Sequence, residues 1–157
     1  MAVGLLPLGA YAATATSQFQ VTATVVKNCK VSASDLAFGN YDPLSATALA
    51  QTTTVSVTCT KGTAFATALD QGTTTGATFA NRLMTDGAAG DTLTYNLFTD
   101  AAHTTIWGDG TASTSTVAGT GTGPLLPVTQ TVYGQVSAQQ NAPANSYSDT
   151  IHVTVTF

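Results

Sequence analysis

Glutamate is absent from this chain, and lysine and arginine together number 4 in 157 residues. Surface helices draw heavily on those three residues, so composition argues against a helical fold. The basic residues, Lys27, Lys30, Lys61 and Arg82, are scattered along the chain. They form no basic patch for nucleic acid or for an anionic membrane surface. The chain has 2 cysteines and 2 histidines. Neither cysteine has a second cysteine or a histidine at ligand spacing, so a zinc site is disfavoured. The histidines, His103 in a turn and His152 on an outward strand face, are poorly placed for a hydrolase triad. No glycine loop opens a helix to hold phosphate. No apolar run is long enough to span a membrane, so no membrane insertion is expected. Cofactors, metals and catalysis are not expected.

What remains is a chain rich in β-branched residues. Threonine alone occurs 32 times. Threonine and valine suit strands, and the composition reads as all-β. The length fits one domain with a real core. The net charge is −4 and only 8 % of residues are charged. Such a surface suits an extracellular structural protein better than a cytosolic one.

The beginning reads as an export signal. Met1 to Leu8 is apolar, and Ala10-Tyr11-Ala12 has the small-x-small form of a cleavage site. Residues 1–12 are therefore expected to be a signal-peptide remnant, cut after Ala12. No lysine or arginine precedes the apolar run, so the true start is upstream or the sequence is truncated. An ordinary disordered N-terminus is the alternative. Residues 13–28 then form an N-terminal extension, and residues 29–157 the folded domain. In an exported chain, Cys29 and Cys59 are expected to form a disulfide. Its loop of about 30 residues corresponds to roughly 3.6 kcal/mol on the chain-entropy model.

Strands follow at short, regular spacing. Phe19–Val26 alternates and is the first. Cys29–Ala33 begins the next, and Leu36, Phe38 and Tyr41 are core anchors after it. Residues 45–51 read as a loop with a possible helical turn. Residues 52–60 point Val55, Val57 and Cys59 inward. Residues 63–70 carry Phe65 and Leu69. Residues 82–85 are a short strand, and 92–99 place Leu93, Tyr95 and Leu97 inward. Thr105-Ile-Trp107 follows a turn. Residues 112–123 are low-complexity and read as a loop or a poor edge strand. Residues 127–136 carry Val128, Val132 and Val136. Seven or eight short strands separated by turn signals indicate a β-sandwich.

The final stretch, residues 149–157, alternates strictly. Ile151, Val153, Val155 and Phe157 face one way, and Thr150, His152, Thr154 and Thr156 the other. No closing strand follows, so this strand is expected to be an edge that lacks a neighbour. Phe19–Val26 is a strand with no obvious partner in its own domain. Its inward set is Phe19, Val21, Ala23 and Val25. It either fills the groove of a neighbouring molecule or pairs within its own domain.

Several motifs together have a familiar order. They are Cys29, Leu36-x-Phe38-Gly39-x-Tyr41, Arg82-x-Met84, Leu93-x-Tyr95-x-Leu97-x-x-Asp100, Trp107-Gly-Asp-Gly110, Val132-Tyr-Gly134 and Tyr147 to Phe157. From about Phe19 to the end, the chain resembles the spore coat protein U domain family, which includes subunits of archaic chaperone–usher pili. The resemblance implies an incomplete immunoglobulin-like sandwich that lacks its last strand and is completed by donor-strand exchange. It implies a pilus subunit with a role in adhesion and biofilm formation. The implied partners are identical or related pilin subunits, a periplasmic chaperone and an outer-membrane usher. The implied location is the periplasm in transit and then the cell surface. Donor residues would be Phe19, Val21, Ala23 and Val25. The acceptor edge would be Ile151, Val153, Val155 and Phe157.

Other readings are weaker. Residues 86–91 and 108–110 lack the ligand alternation of a calcium loop and read as turns. Trp107 either stacks on a sugar or, the better reading, packs at the sandwich rim. A secreted coat-type structural protein and a sugar-binding adhesin module stand as alternative functions.

Overall fold

The computed structural model describes residue 9, residues 12–87 and residues 90–157. The expected leader lies almost wholly outside the described residues. Eight strands are assigned among the described residues: β1 (Cys29–Ala33), β2 (Leu49–Cys59), β3 (Ala64–Leu69), β4 (Arg82–Thr85), β5 (Thr92–Phe98), β6 (Val117–Thr120), β7 (Val128–Val136) and β8 (Val153–Thr156). They form two sheets, one of order β1-β2-β7-β5-β4 and one of order β6-β3-β8. All pairings between these eight strands are antiparallel.

The period-two pattern sets which side chains meet. Val55, Val57 and Cys59 of β2, Leu93, Tyr95 and Leu97 of β5, and Val132 and Val136 of β7 are buried from one sheet. Phe65 and Leu69 of β3 are buried from the other. Their packing removes apolar surface from water along the whole sandwich.

Two expectations need correction, and a third is narrowed. β2 starts at Leu49 rather than Thr52, because Leu49, Ala50 and Gln51 pair with Val136, Gln135 and Gly134 of β7. Of the two readings of the low-complexity stretch, the edge strand holds: β6 is a four-residue edge strand paired with β3. Trp107 is not at the rim: it is fully buried, and its indole Nε1–H donates to the Thr67 carbonyl at 3.0 Å. The segment around it closes one side of the sandwich. Trp107 N bonds Leu97 O of β5 at 2.9 Å, and Leu69 N of β3 bonds Gly108 O at 3.2 Å. Residues 105–108 thus tie the two sheets together.

Arg82 strengthens the same side from within. It is fully buried, although it belongs to a short strand. Its Nη1 donates to Asn96 Oδ1 at 2.7 Å, and its Nη2 to Trp107 O at 2.7 Å. Nε and Nη2 both donate to Asp70 O, at 2.9 and 2.6 Å. The guanidinium lies 5.7 Å from the centre of the Phe79 ring. A buried cation needs such partners, because burial alone strongly disfavours charge. Burial pushes the Arg82 pKa down, while Tyr95, Asp70 and Asp149 oppose the shift.

Candidate functional site

The opposite side of the sandwich is open. β1 ends one sheet and β8 ends the other. Between the segment after β1 and the segment before β8 runs a cleft of about 410 Å³. Its floor is the core itself: Val55, Leu69, Tyr95, Leu97 and Val132. A second cleft, about 620 Å³, continues it through Leu36, Phe38, Met84 and Tyr147, which line both. The combined groove reaches Pro43 and Ala142 at one end and Ala33 and Val153 at the other.

The edge beside this groove carries free backbone. In an antiparallel strand, the N–H and C=O of one residue share a side, and successive residues alternate. Asp70 N bonds His152 O at 3.1 Å, so His152, Thr154 and Thr156 turn their backbone towards β3. Ile151, Val153 and Val155 turn theirs outward, where no strand lies among the described residues. Side chains follow the expected alternation: Ile151, Val153 and Val155 pack against the core. Phe157 does not join them and remains more than half exposed.

The groove walls are held by polar ties. Asp149 Oδ1 accepts from Thr73 N at 2.9 Å and Thr73 Oγ1 at 3.1 Å, and Asp149 Oδ2 accepts from Tyr95 O–H at 2.7 Å. Burial raises the Asp149 pKa, but the bonds from Tyr95 and Thr73 outweigh it and leave the carboxyl below its ordinary value. Burial and the bond to Asp149 push the Tyr95 hydroxyl well above the ordinary tyrosine value. His152 is tied to Asp70 through Nδ1 at 2.7 Å, and its backbone N–H donates to Asp70 Oδ1 at 3.0 Å. On the far wall, Tyr41 O–H donates to Ser137 O at 2.9 Å and accepts from Gln140 N at 2.8 Å.

Gly134 in the middle of β7 has a specific reason. A Cβ there would collide with Leu36 Cδ2 and Phe38 Cζ. Only glycine lets these two groove-lining side chains fold down onto the sheet.

The cysteines are bonded, as expected. Cys29 at the start of β1 is the direct partner of Cys59 at the end of β2, and the two form a disulfide. Above them the extension leaves the domain. Thr60 N donates to Asn28 O at 2.9 Å, and Thr60 Oγ1 bonds Val26 O at 3.1 Å. Beyond Val26 the described extension has no assigned strand and no partner. Phe19, Val21 and Val25 are 89 %, 82 % and 83 % exposed. Ala23 is exposed as well. The structure thus places the two expected sets of residues apart, with Ile151, Val153 and Val155 in the domain and residues 19–26 extending from it.

The Spore Coat Protein U domain model matches residues 15–154. The chain belongs to the spore coat protein U domain family. No curated protein matches it. Among solved structures, this spore coat U domain is similar to a chain in the crystal structure of the CsuC–CsuE chaperone–tip adhesion subunit pre-assembly complex, from archaic chaperone–usher Csu pili of Acinetobacter baumannii. The identity is 21 % and the TM-score 0.61; the match covers 85 % of this chain and 40 % of that one. The likeness is one of fold, an immunoglobulin-like sandwich, and the present chain spans well under half the length of its match.

Proposed function

We propose that this spore coat U domain is a structural subunit of a chaperone–usher pilus, and that it polymerises by strand donation. The observation that carries the reading is an apolar groove with an unpaired strand edge, in the same chain as an exposed, alternating, unpartnered segment. Open edges of this kind invite strand addition. Residues 19–25 extend over roughly 23 Å. Phe19, Val21, Ala23 and Val25 would enter the groove of a neighbour and cover Val55, Leu69, Tyr95, Leu97 and Val132. Each large side chain contributes on the order of 1.5–3 kcal/mol. Each ladder hydrogen bond to β8 adds roughly 1 kcal/mol. Before assembly, a periplasmic chaperone would occupy the same groove, and an outer-membrane usher would pass the subunit to the cell surface. Adhesion and biofilm formation are the roles such a fibre serves.

The test compares two adjacent substitutions. Val21→Asp places a carboxylate in the apolar slot, at a penalty of several kcal/mol. Thr22→Asp faces away, because the strand period is two. The expected result is loss of fibres with Val21→Asp, near-normal fibres with Thr22→Asp, and an intact chaperone complex with both. Equal fibre yield from the two variants refutes strand donation through this segment. Loss of the chaperone complex with Val21→Asp does the same, because the segment would then belong to the domain's own core. A peptide of residues 15–27 should also stabilise a protein that lacks residues 13–26.

A further inference from the structure

Three exposed leucines stand at opposite poles of the domain. Leu44 is 87 % exposed, Leu125 89 % and Leu126 65 %. β2 runs from one pole to the other and sets the geometry. Leu44 lies just before its first residue, Leu49, and Pro43 beside it lines the groove mouth. Leu125 and Leu126 lie just before Val128, which pairs with Val57 near the end of β2. That is the pole of Cys29 and Cys59, where the extension leaves.

Both leucine turns are built rather than loose. Leu44 N is held by Asp42 Oδ1 at 2.9 Å, and Ser45 N by Asp42 O at 3.1 Å. At the other pole Gly123 N bonds Cys59 O at 3.2 Å, and Thr122 Oγ1 bonds Leu126 O. The two turns thus fix exposed apolar side chains at the two poles.

We infer that Leu125 and Leu126 of one copy pack against the Leu44 turn of the next, forming a head-to-tail contact between successive subunits. This rests on the strand-donation reading above. The groove reaches Pro43 at one end and Ala33 and Val153 at the other. The other pole already carries the acceptor's own extension. A donor strand therefore runs with Phe19 deep in the groove and Val25 at the Pro43 mouth, antiparallel to β8. Only Val26, Lys27 and Asn28 separate Val25 from Cys29 of the donor domain. Four residue steps span at most about 14 Å. Thr60 holds Val26 and Asn28 to the donor's own body, which shortens the free length further. The donor's Cys29 pole is thus drawn onto the acceptor's Pro43 mouth, and the two leucine surfaces meet. The contact is heterologous, as a growing fibre requires.

Cysteine cross-linking of assembled fibres tests this. Leu44→Cys combined with Leu125→Cys should give a ladder of covalent multimers on a non-reducing gel after mild oxidation. Leu125→Cys alone and Leu44→Cys alone should give none. Both sites are exposed, so folding is unaffected, and unchanged binding of the peptide 15–27 to the truncated domain confirms this. Fibres that form without a ladder overturn the contact and leave strand donation standing. Dimers from Leu125→Cys alone overturn the head-to-tail orientation. Failure of the unmodified protein to form fibres or to take up the peptide overturns strand donation, and the contact with it.

Discussion

Replacing Arg82 tests how the closed side of the sandwich holds together. Arg82→Met keeps most of the side chain's bulk and removes its donors. Asn96 Oδ1 retains a partner, because it also accepts from Leu97 N at 2.8 Å. Asp70 O and Trp107 O lose the guanidinium. A buried and a partly buried carbonyl left without these donors cost about 1–3 kcal/mol each. Relief of guanidinium desolvation offsets part of this. The net loss is about 3 kcal/mol, a large fraction of the stability of a typical domain. Arg82→Lys is the informative companion. It retains the charge but has one nitrogen in place of the fork, so it cannot reach Asn96, Asp70 and Trp107 together. Lysine should therefore restore little. The assay is urea unfolding of the domain with its groove filled by the peptide 15–27. Trp107, the single tryptophan, is fully buried and reports unfolding by fluorescence. With a urea slope of about 2 kcal/mol/M, both midpoints should fall by about 1.5 M. A midpoint for either variant within about 0.3 M of wild type refutes the reasoning. A full rescue by lysine would mean that charge, not the fork, is what matters.

Removing the disulfide with Cys29→Ser and Cys59→Ser should cost about 2–4 kcal/mol by urea unfolding; two free thiols in the exported wild-type protein would contradict the bond. Asp149 has a depressed pKa, so its stabilising contribution is complete above the unfolded value of about 3.9 and is lost as pH falls through the folded value. Asp149→Asn should accordingly lose less stability than wild type between pH 7 and pH 2.5, and identical pH dependence would sink this account. Gly134→Ala should displace Leu36 and Phe38 and slow uptake of the donor peptide, measured by peptide fluorescence anisotropy; unchanged kinetics would show that the groove adapts freely.

Much of the sandwich is legible in the sequence, because alternation reports burial directly. Val55-x-Val57-x-Cys59 and Leu93-x-Tyr95-x-Leu97 place their side chains as expected. Ala50 and Gln51 carry no alternating signal, and their strand character comes from pairing with β7. β6 is only weakly signalled among threonine, serine and glycine, as a loop or a poor edge strand, and pairing with β3 decides for the strand. The burial of Arg82 is not legible in the sequence, since nothing nearby announces Asn96 or the carbonyls of Asp70 and Trp107. Trp107 is deeper than expected for the same reason: the partner of its indole, Thr67 O, is 40 residues away. The groove itself is invisible to periodicity. Its floor residues pattern like any closed core; the alternating last strand with no closing partner points to an open edge, and the sheet order puts β8 at that edge.

The position of the Cys29–Cys59 bond has a mechanical consequence. In a fibre joined by strand donation, tension enters each domain along its extension and arrives at Cys29. β1 is a five-residue edge strand whose single neighbour is β2. Pulled along its axis from the Cys29 end, it would resist only through its five pairs with β2. The disulfide instead passes the load across to Cys59, at the end of the eleven-residue β2. There it meets the nine-pair ladder to β7 lengthwise, and many bonds must yield together. A covalent link at the exit point thus makes a weak outer strand a bystander to the pull and sets the domain's breaking strength at its longest internal seam.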